Sequence, residues 1–191
     1  MPFSEYQRQV VAYHGCDHDV VATCLRGAAL KPSTNDYDWL GTGIYFWEHG
    51  PARALDWARF MSNRKKVRKP AVVGALIQLG HCFDLLDVRF TTLLHRLFPV
   101  FQETMAAQGK GMPANDSSRK LHRLDCAFLN WAIPLTEKKE GIKFQTVRGV
   151  FVEGEPLYPS AQLFTESHIQ IAVRDPSSIV GFFHPVTVDS R

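Results

Sequence analysis

The segment Trp39-Leu40-Gly41-Thr42-Gly43-Ile44-Tyr45-Phe46 indicates the fold more strongly than any other part of the 191-residue chain. Two glycines one residue apart allow a tight turn, because glycine adopts backbone conformations that other residues avoid. The β-branched and aromatic residues after them favour a strand. We therefore predict a loop over 31–40, a strand over 44–47 and a helix over 51–60. The helix should begin at Pro51, whose fixed φ suits a first helical turn.

The rest of the chain shows further strand and helix patterns on both sides of this segment. Apolar runs predict strands over 10–14 (ended by Gly15), 71–79, 149–152, 169–173 and 179–183. Apolar residues at helical spacing predict a helix over 19–26 and two helices in the middle of the chain, with stripes at Leu94, Leu97, Phe98, Phe101 and Met105 and at Leu121, Leu124, Phe128 and Trp131. Strands, a helical middle and strands again indicate an α+β fold. We expect a single domain over 1–191 with a helical insertion at about 90–135.

Composition and charge exclude several classes of protein. Hydrophobic residues make up 45% of the chain, which is enough for a core, and charged residues make up 21%, near the globular average. A net charge of +3 is too small to indicate a nucleic-acid partner by itself. No apolar run is long enough to cross a bilayer, and Met1 to Glu5 lack the start of a signal peptide. We expect a cytoplasmic protein with no membrane partner.

The cysteines and histidines give little support for a metal site. The four cysteines have no Cys-x-x-Cys spacing and are expected to be buried free thiols. In an extended segment, His14, Cys16 and His18 would share one strand face. Three ligands so close on one strand rarely surround a single ion, so we expect no metal.

Arg64-Lys65-Lys66-Val67-Arg68-Lys69 is the one dense basic run. Such runs are more often solvated loops than nucleic-acid sites. Because this run follows the helix predicted over 51–60, it would also be placed to attract a polyanionic acceptor.

Three segments in this order resemble the ADP-ribosyltransferase superfamily, specifically its diphtheria-toxin and poly-ADP-ribose-polymerase branch. They are Tyr13-His14-Gly15, the Gly-x-Gly-Ile-Tyr-Phe segment with the helix after it, and residues 168–179. The resemblance is specific over 13–58 and moderate over 169–183, while the helical middle has no counterpart. It implies an ADP-ribosyltransferase-like split β-sandwich with flanking helices. It also implies a protein that binds NAD as a substrate and acts at the nicotinamide–ribose bond.

The resemblance also implies roles for individual residues. Gly15 would let the nicotinamide carboxamide approach the backbone, and His14 would hydrogen-bond a ribose hydroxyl. Tyr45 would stack on the nicotinamide ring, with Trp57 as a second wall. The remaining NAD-binding candidates are Gly43 at the turn, and Ser33 and Asn35 facing the adenosine half.

Gln170 occupies the position that holds a catalytic glutamate in this branch. An amide can hydrogen-bond the ribose, but it offers no carboxylate to the positive charge that develops on the sugar. Chain-extending polymerase activity is therefore not expected. Glu153, Glu155 and Glu166 precede this strand and could supply a carboxylate from the loop. The sequence does not choose among them.

These residues together predict a mono-ADP-ribosyltransferase with His14, Tyr45 and Gln170 at its catalytic core. It would transfer ADP-ribose from NAD to a protein or nucleic-acid acceptor and release nicotinamide. The alternatives are an NAD glycohydrolase and a degenerate module that only binds NAD or ADP-ribose. By family-level analogy, such a compact domain would suit a bacterial toxin or anti-phage effector held in check by an antitoxin protein.

Overall fold

A computed structural model describes residues 6–116 and 121–186. Within these residues the strands are β1 (Tyr6–Asp17), β2 (Ile44–Glu48), β3 (Pro70–Gly80), β4 (Cys82–Asp84), β5 (Asn115–Asp116), β6 (Leu121–His122), β7 (Thr146–Phe151), β8 (His168–Val173) and β9 (Ile179–Phe183), and the helices are α1 (His18–Cys24), α2 (Pro51–Asn63), α3 (Val88–Ala107) and α4 (Arg123–Glu140). Seven strands form one mixed sheet in the order β4-β7-β8-β2-β1-β3-β9. Only β4 and β7 pair in parallel among these neighbours, and β5 and β6 form a separate ribbon. The predicted α+β class is confirmed.

Most predicted elements lie where the sequence patterns indicated, including the helix that begins at Pro51. The strand break predicted at Gly15 is wrong, because β1 continues to Asp17 with Gly15 in register with Val72 of β3. The glycine serves another purpose, since a Cβ atom there would lie 2.0 Å from the carbonyl oxygen of Ala54 in α2. The signal-peptide expectation concerns residues 1–5, which lie outside the described residues.

Both faces of the sheet are covered by helices or loops. One face, the α1 face, packs Phe46, Val73 and Ile171 against Val21 and Cys24 of α1.

No helix within the described ranges is long and apolar enough to cross a membrane. The four cysteines are buried and unpaired with one another, as predicted.

The opposite face, which we call the α2 face, carries the paired residues Tyr13, Trp47, Gln170 and Gly149. Residues paired across neighbouring strands point to the same side of a sheet. Helix α2 covers β1 and β3 on this face. The other end of the face packs against α3 and α4 through a core that includes Phe83, Phe90, Leu129, Ile133 and Val147. On this face, β2 and β8 therefore lie between α2 at one end and α3 and α4 at the other.

A buried ion-pair cluster joins three strands on the α1 face. The guanidinium of Arg148 in β7 contacts Glu48 of β2 at 2.6 Å and Asp84 of β4 at 3.1 Å. Breaking such a buried pair is strongly destabilising, because it leaves an uncompensated charge. The cluster therefore fixes the end of β2 that carries Trp47.

Candidate functional site

The turn before β2 is closed by the phenol of Tyr45. Gly41 has φ of 76°, a left-handed conformation that favours glycine. The Tyr45 hydroxyl donates to the Gly41 carbonyl at 2.7 Å and accepts from the Leu40 N–H at 2.9 Å. Burial raises the pKa of Tyr45, so the phenol stays protonated. Its hydroxyl is occupied by the turn, and the predicted stacking on nicotinamide would use the half-buried ring.

Residues predicted to meet the adenosine half of NAD lie together in the loop before β2. Ser33 and Gly43 form an antiparallel bridge, with N–H to carbonyl distances of 2.8 and 3.2 Å. The Asn35 amide donates to the Ser33 hydroxyl at 2.7 Å. From the other side, Asn130 of α4 accepts the Thr42 N–H at 2.9 Å. The loop is thereby held between β2 and α4. A cleft of about 220 Å³ beside it is lined by Pro32, Leu40, Thr42, Gly43, Leu129, Asn130, Ile133, Pro134 and Arg174.

Strands β1 and β2 separate at His14. Their pairing covers only Ala12 with Glu48 and Tyr13 with Trp47, whereas β1 stays paired with β3 as far as Asp17. In the split, His14 Nδ1 donates to the Tyr45 carbonyl at 2.7 Å. Burial lowers the pKa of His14, which favours the neutral ring.

Gly15 directs its backbone polar groups toward this split. The Val11 carbonyl accepts the His49 N–H at 3.1 Å, so the backbone groups of Val11 point to the β2 side. Because these groups alternate along a strand, those of Gly15 also point to the β2 side. They lie beyond the last β1–β2 residue pair. The predicted carboxamide contact would occur at this edge, since α2 covers the face of Gly15.

The sequence-predicted catalytic residues do not all lie on one face. The His14 ring packs against Phe46, at 5.6 Å between centroids, and Phe46 belongs to the α1 face. Gln170 pairs with Trp47 and lies on the α2 face. Among the described residues, the hydrogen bond of the His14 ring is to Tyr45 and that of the Gln170 amide is to His168. The split between β1 and β2 is therefore the route by which one ligand would reach both.

Two of the predicted loop carboxylates lie beside Gln170. The Glu166 N–H donates to the Glu153 carbonyl at 3.0 Å, which holds the two ends of the loop together. Arg53 of α2 then contacts Glu153 at 2.9 Å and Glu166 at 3.3 Å. Glu155, the third candidate, is exposed. Its backbone pairs with Thr165, with a Thr165 N–H to Glu155 carbonyl distance of 3.0 Å.

His168 connects these carboxylates to Gln170. Its Nδ1 lies 2.7 Å from the Glu166 carbonyl and 4.0 Å from a Glu153 carboxylate oxygen. Its Nε2 lies 2.9 Å from Nε2 of Gln170. A neutral ring protonated on Nδ1 satisfies both contacts, because Nε2 then accepts from the amide. We call Arg53, Glu153, Glu166, His168 and Gln170 the Gln170 cluster.

Burial and ion pairs set the charges of the Gln170 cluster. Burial lowers the pKa of His168, and the adjacent Arg53 guanidinium lowers it further, so the imidazole is neutral near pH 7. One guanidinium, that of Arg53, contacts two carboxylates, those of Glu153 and Glu166. The His168 contact also fixes the Gln170 amide with its oxygen available as an acceptor.

Two tryptophans lie beside the Gln170 cluster. Trp47 is 6.5 Å from His168 and 6.1 Å from Trp57 between ring centroids. The indole N–H of Trp47 is buried, and no residue within the described ranges accepts its hydrogen. Nε of Arg53 is likewise buried, and no residue within the described ranges accepts its hydrogen. A buried donor without a partner is costly, so a ligand that accepts these hydrogens would be favoured here.

Sequence reasoning missed Arg53 and His168. His168 precedes Gln170 by two residues, so strand alternation places both on one face. Arg53 and Trp57 are four residues apart and lie on one side of α2. Both signals were readable in the sequence, but the loop that brings Glu153 to them was not.

The proposed metal ligands do not share a strand face. His14 and Cys16 lie in β1, but His18 begins α1 and is exposed, so the extended arrangement is wrong for His18. Among the described residues, no group of three or more His, Cys, Asp and Glu side chains could hold a metal ion.

Comparison with known proteins adds one distant relative. No protein family matches the chain, and no solved structure is significantly similar. The chain is similar to an uncharacterised protein of the archaeon Methanocaldococcus jannaschii, with 27% identity over 100 residues that cover 50% of this chain and 46% of that protein. The chain thus spans about half the length of the curated relative that it matches.

Proposed function

We propose that this domain has an ADP-ribosyltransferase-like split β-sandwich fold and transfers ADP-ribose from NAD to a macromolecular acceptor, with release of nicotinamide. The observation that carries this proposal is the contact between Gln170 and His168, 2.9 Å long, beside the carboxylate of Glu153. It supports a site with a fixed hydrogen-bond acceptor for the ribose and negative charge for the sugar cation.

The split between β1 and β2 is where the nicotinamide end would bind. Backbone groups of Gly15 face the split and would take the carboxamide, while the Tyr45 ring would lie against the nicotinamide. The ribose would then reach the oxygen of the Gln170 amide. Bond cleavage leaves positive charge on the ribose, and a fixed carboxylate stabilises that charge more than it stabilises NAD itself.

We assign stabilisation of the positive charge on the ribose to the carboxylate of Glu153. Its side chain is 14% exposed, compared with 41% for Glu166, so its charge is less screened by water. It is also the one whose carboxylate lies within 4.0 Å of His168, the residue that orients Gln170. Glu153 thus replaces, from a loop, the carboxylate that the strand lacks.

Comparison of Glu153→Gln with Glu155→Gln tests the assignment. Loss of a charge that acts in the transition state should lower nicotinamide release by roughly 10²-fold with little change in NAD affinity. Glu155→Gln is the matched control, because it removes an exposed carboxylate from the same loop and should keep the wild-type rate. Nicotinamide release is measured by chromatography, and NAD affinity by calorimetry.

The fate of the ADP-ribose separates this proposal from its two alternatives. With labelled NAD and cell lysate, label bound to macromolecules supports transfer. Free ADP-ribose as the sole product would show NAD hydrolysis instead. NAD binding without nicotinamide release in any variant would identify a binding module and overturn the proposal.

A further inference from the structure

A row of aromatic rings leads from the Gln170 cluster to the surface along α2. Trp47 lies beside His168, Trp57 is 6.1 Å from Trp47, and Phe60 is 5.7 Å from Trp57 between ring centroids. Trp57 and Phe60 are each 42% exposed. Apolar rings exposed side by side form a contiguous patch, and such patches mark interaction sites more often than scattered single residues do.

Positive charge continues the row at the end of α2. The Arg64 guanidinium lies 4.4 Å from the centre of the Phe60 ring. Lys65 and Lys66 follow and are exposed, and no acidic side chain in the described ranges forms an ion pair with either. Arg68, in contrast, forms an ion pair with Asp19 at 2.7 Å. Arg64, Lys65 and Lys66 therefore place three cations directly after the helix that carries Phe60.

We infer that single-stranded nucleic acid binds along α2, with bases stacked on Trp57 and Phe60 and phosphates near Arg64, Lys65 and Lys66. Stacking rings beside a basic track are the features by which proteins hold single strands without reading their sequence. A duplex would not fit as well, because its bases are already stacked on one another.

Because the row begins beside the Gln170 cluster, the bound strand would also be the acceptor, and this part rests on the proposed function. A nitrogen or oxygen atom of the strand forms a bond to C1′ of the nicotinamide ribose. The bond from C1′ to the nicotinamide nitrogen breaks, and its electron pair leaves with neutral nicotinamide. The acceptor proton passes to water.

Binding is tested without NAD, by fluorescence anisotropy of a labelled oligonucleotide of about 12 nucleotides, within the usual span of such sites. RNA and DNA versions of one sequence show which sugar is preferred, and the matching duplex serves as a control. Phe60→Leu removes the ring but keeps an apolar side chain, and it should weaken binding about 5- to 100-fold. Phe60→Trp should bind at least as tightly as the wild type.

Charge reversal tests the basic part of the surface. Lys65→Glu with Lys66→Glu should reduce the dependence of log affinity on log salt by about 1.4, since each phosphate contact to a single strand contributes about 0.7. Lys138→Glu with Lys139→Glu is the matched control, because these lysines are exposed near the end of α4. The control pair should leave the salt dependence unchanged.

Two results would overturn the inference: equal affinity of Phe60→Leu and Phe60→Trp, or equal affinity for single strand and duplex. Nicotinamide release in the absence of nucleic acid is measured separately and should be the same in wild type and Phe60→Leu. If binding depends on the ring but no variant releases nicotinamide, the proposed function fails while the binding surface stands. If NAD is cleaved and label enters only protein, the acceptor assignment fails.

Discussion

Under the proposed function, Gln170 would keep the hydrogen-bonding geometry of the site without carrying its negative charge. Its amide oxygen can accept a ribose hydroxyl as a carboxylate would, and His168 fixes the amide orientation through a 2.9 Å contact. The negative charge lies instead on Glu153 and Glu166, which Arg53 holds together. In the proposed function, hydrogen bonding to the ribose and stabilisation of its charge would therefore come from separate residues.

Gln170→Glu should raise the pKa of His168. A carboxylate against Nε2 favours the protonated imidazole, so the pKa of the ring should be higher than in the wild type. NMR titration of the His168 ring protons measures this change. Gln170→Ala is the control, because it removes the amide without adding charge and should give no comparable rise. Unchanged titration in Gln170→Glu would show that the 2.9 Å contact does not form in solution.

The turn between residues 40 and 45 is the element on which the site most depends. Tyr45 satisfies two backbone groups of this turn, at the buried residues Leu40 and Gly41. Asn130 holds the same turn from α4 through Thr42. The position of the Tyr45 ring is thus set by hydrogen bonds made before any ligand arrives.

Tyr45→Phe should lower the free energy of unfolding by about 1–3 kcal/mol, because it leaves a buried N–H and carbonyl without their partner. The ring remains, so NAD affinity should change less than stability does. Urea denaturation measures the first quantity and calorimetry the second. Tyr13→Phe is the matched control, since Tyr13 is half-buried and no described residue hydrogen-bonds its hydroxyl. Equal losses in both variants would show that the Tyr45 hydroxyl has no special part in the turn.

The sequence predicted elements more completely than it predicted contacts between them. Pro51 identified the start of α2 and apolar alternation identified β8, because both signals are local. The same reasoning made Gly15 a strand end, although it is the point where α2 packs on β1. Glu153 and Glu166 meet because the intervening loop folds back on itself, and no spacing rule encodes that path. Local patterns specify elements, whereas loop closure and helix docking depend on the whole chain.

At the scale of the whole molecule, the candidate site lies on the α2 face between α2 at one end and α3 and α4 at the other. Helix α2 supplies Arg53 and the aromatic row, and α4 holds the loop before β2. The α4 segment belongs to the part of the chain with no counterpart in the resemblance. Catalytic geometry in this protein would therefore depend partly on α4, a helix that the motifs alone did not connect to the site.

Stability should fall as the pH decreases below about 6.5, the ordinary pKa of histidine. Burial lowers the folded-state pKa of both His14 and His168. Below this pH the unfolded chain binds protons that the folded chain does not bind, so acid favours unfolding. Each histidine contributes at most about 1.4 kcal/mol per pH unit, down to its folded pKa. Although burial raises the pKa of Glu137, hydrogen bonds from Arg174 and from the Phe144 N–H hold it below its ordinary 4.5, so that carboxylate contributes only in a lower pH range.

Urea denaturation at pH 7.5, 6.5 and 5.5 tests this window, with two-state analysis at each pH. His14→Gln keeps a donor for the Tyr45 carbonyl but cannot titrate, so its loss of stability between pH 6.5 and 5.5 should be smaller than that of the wild type. His168→Gln should behave similarly. His95→Gln is the control, since His95 is exposed on α3 and should retain the wild-type slope. A flat profile in the wild type would contradict burial of the two neutral rings. An undiminished slope in both variants would place the responsible proton elsewhere, because no other histidine lies in the split or in the Gln170 cluster as the structure describes them.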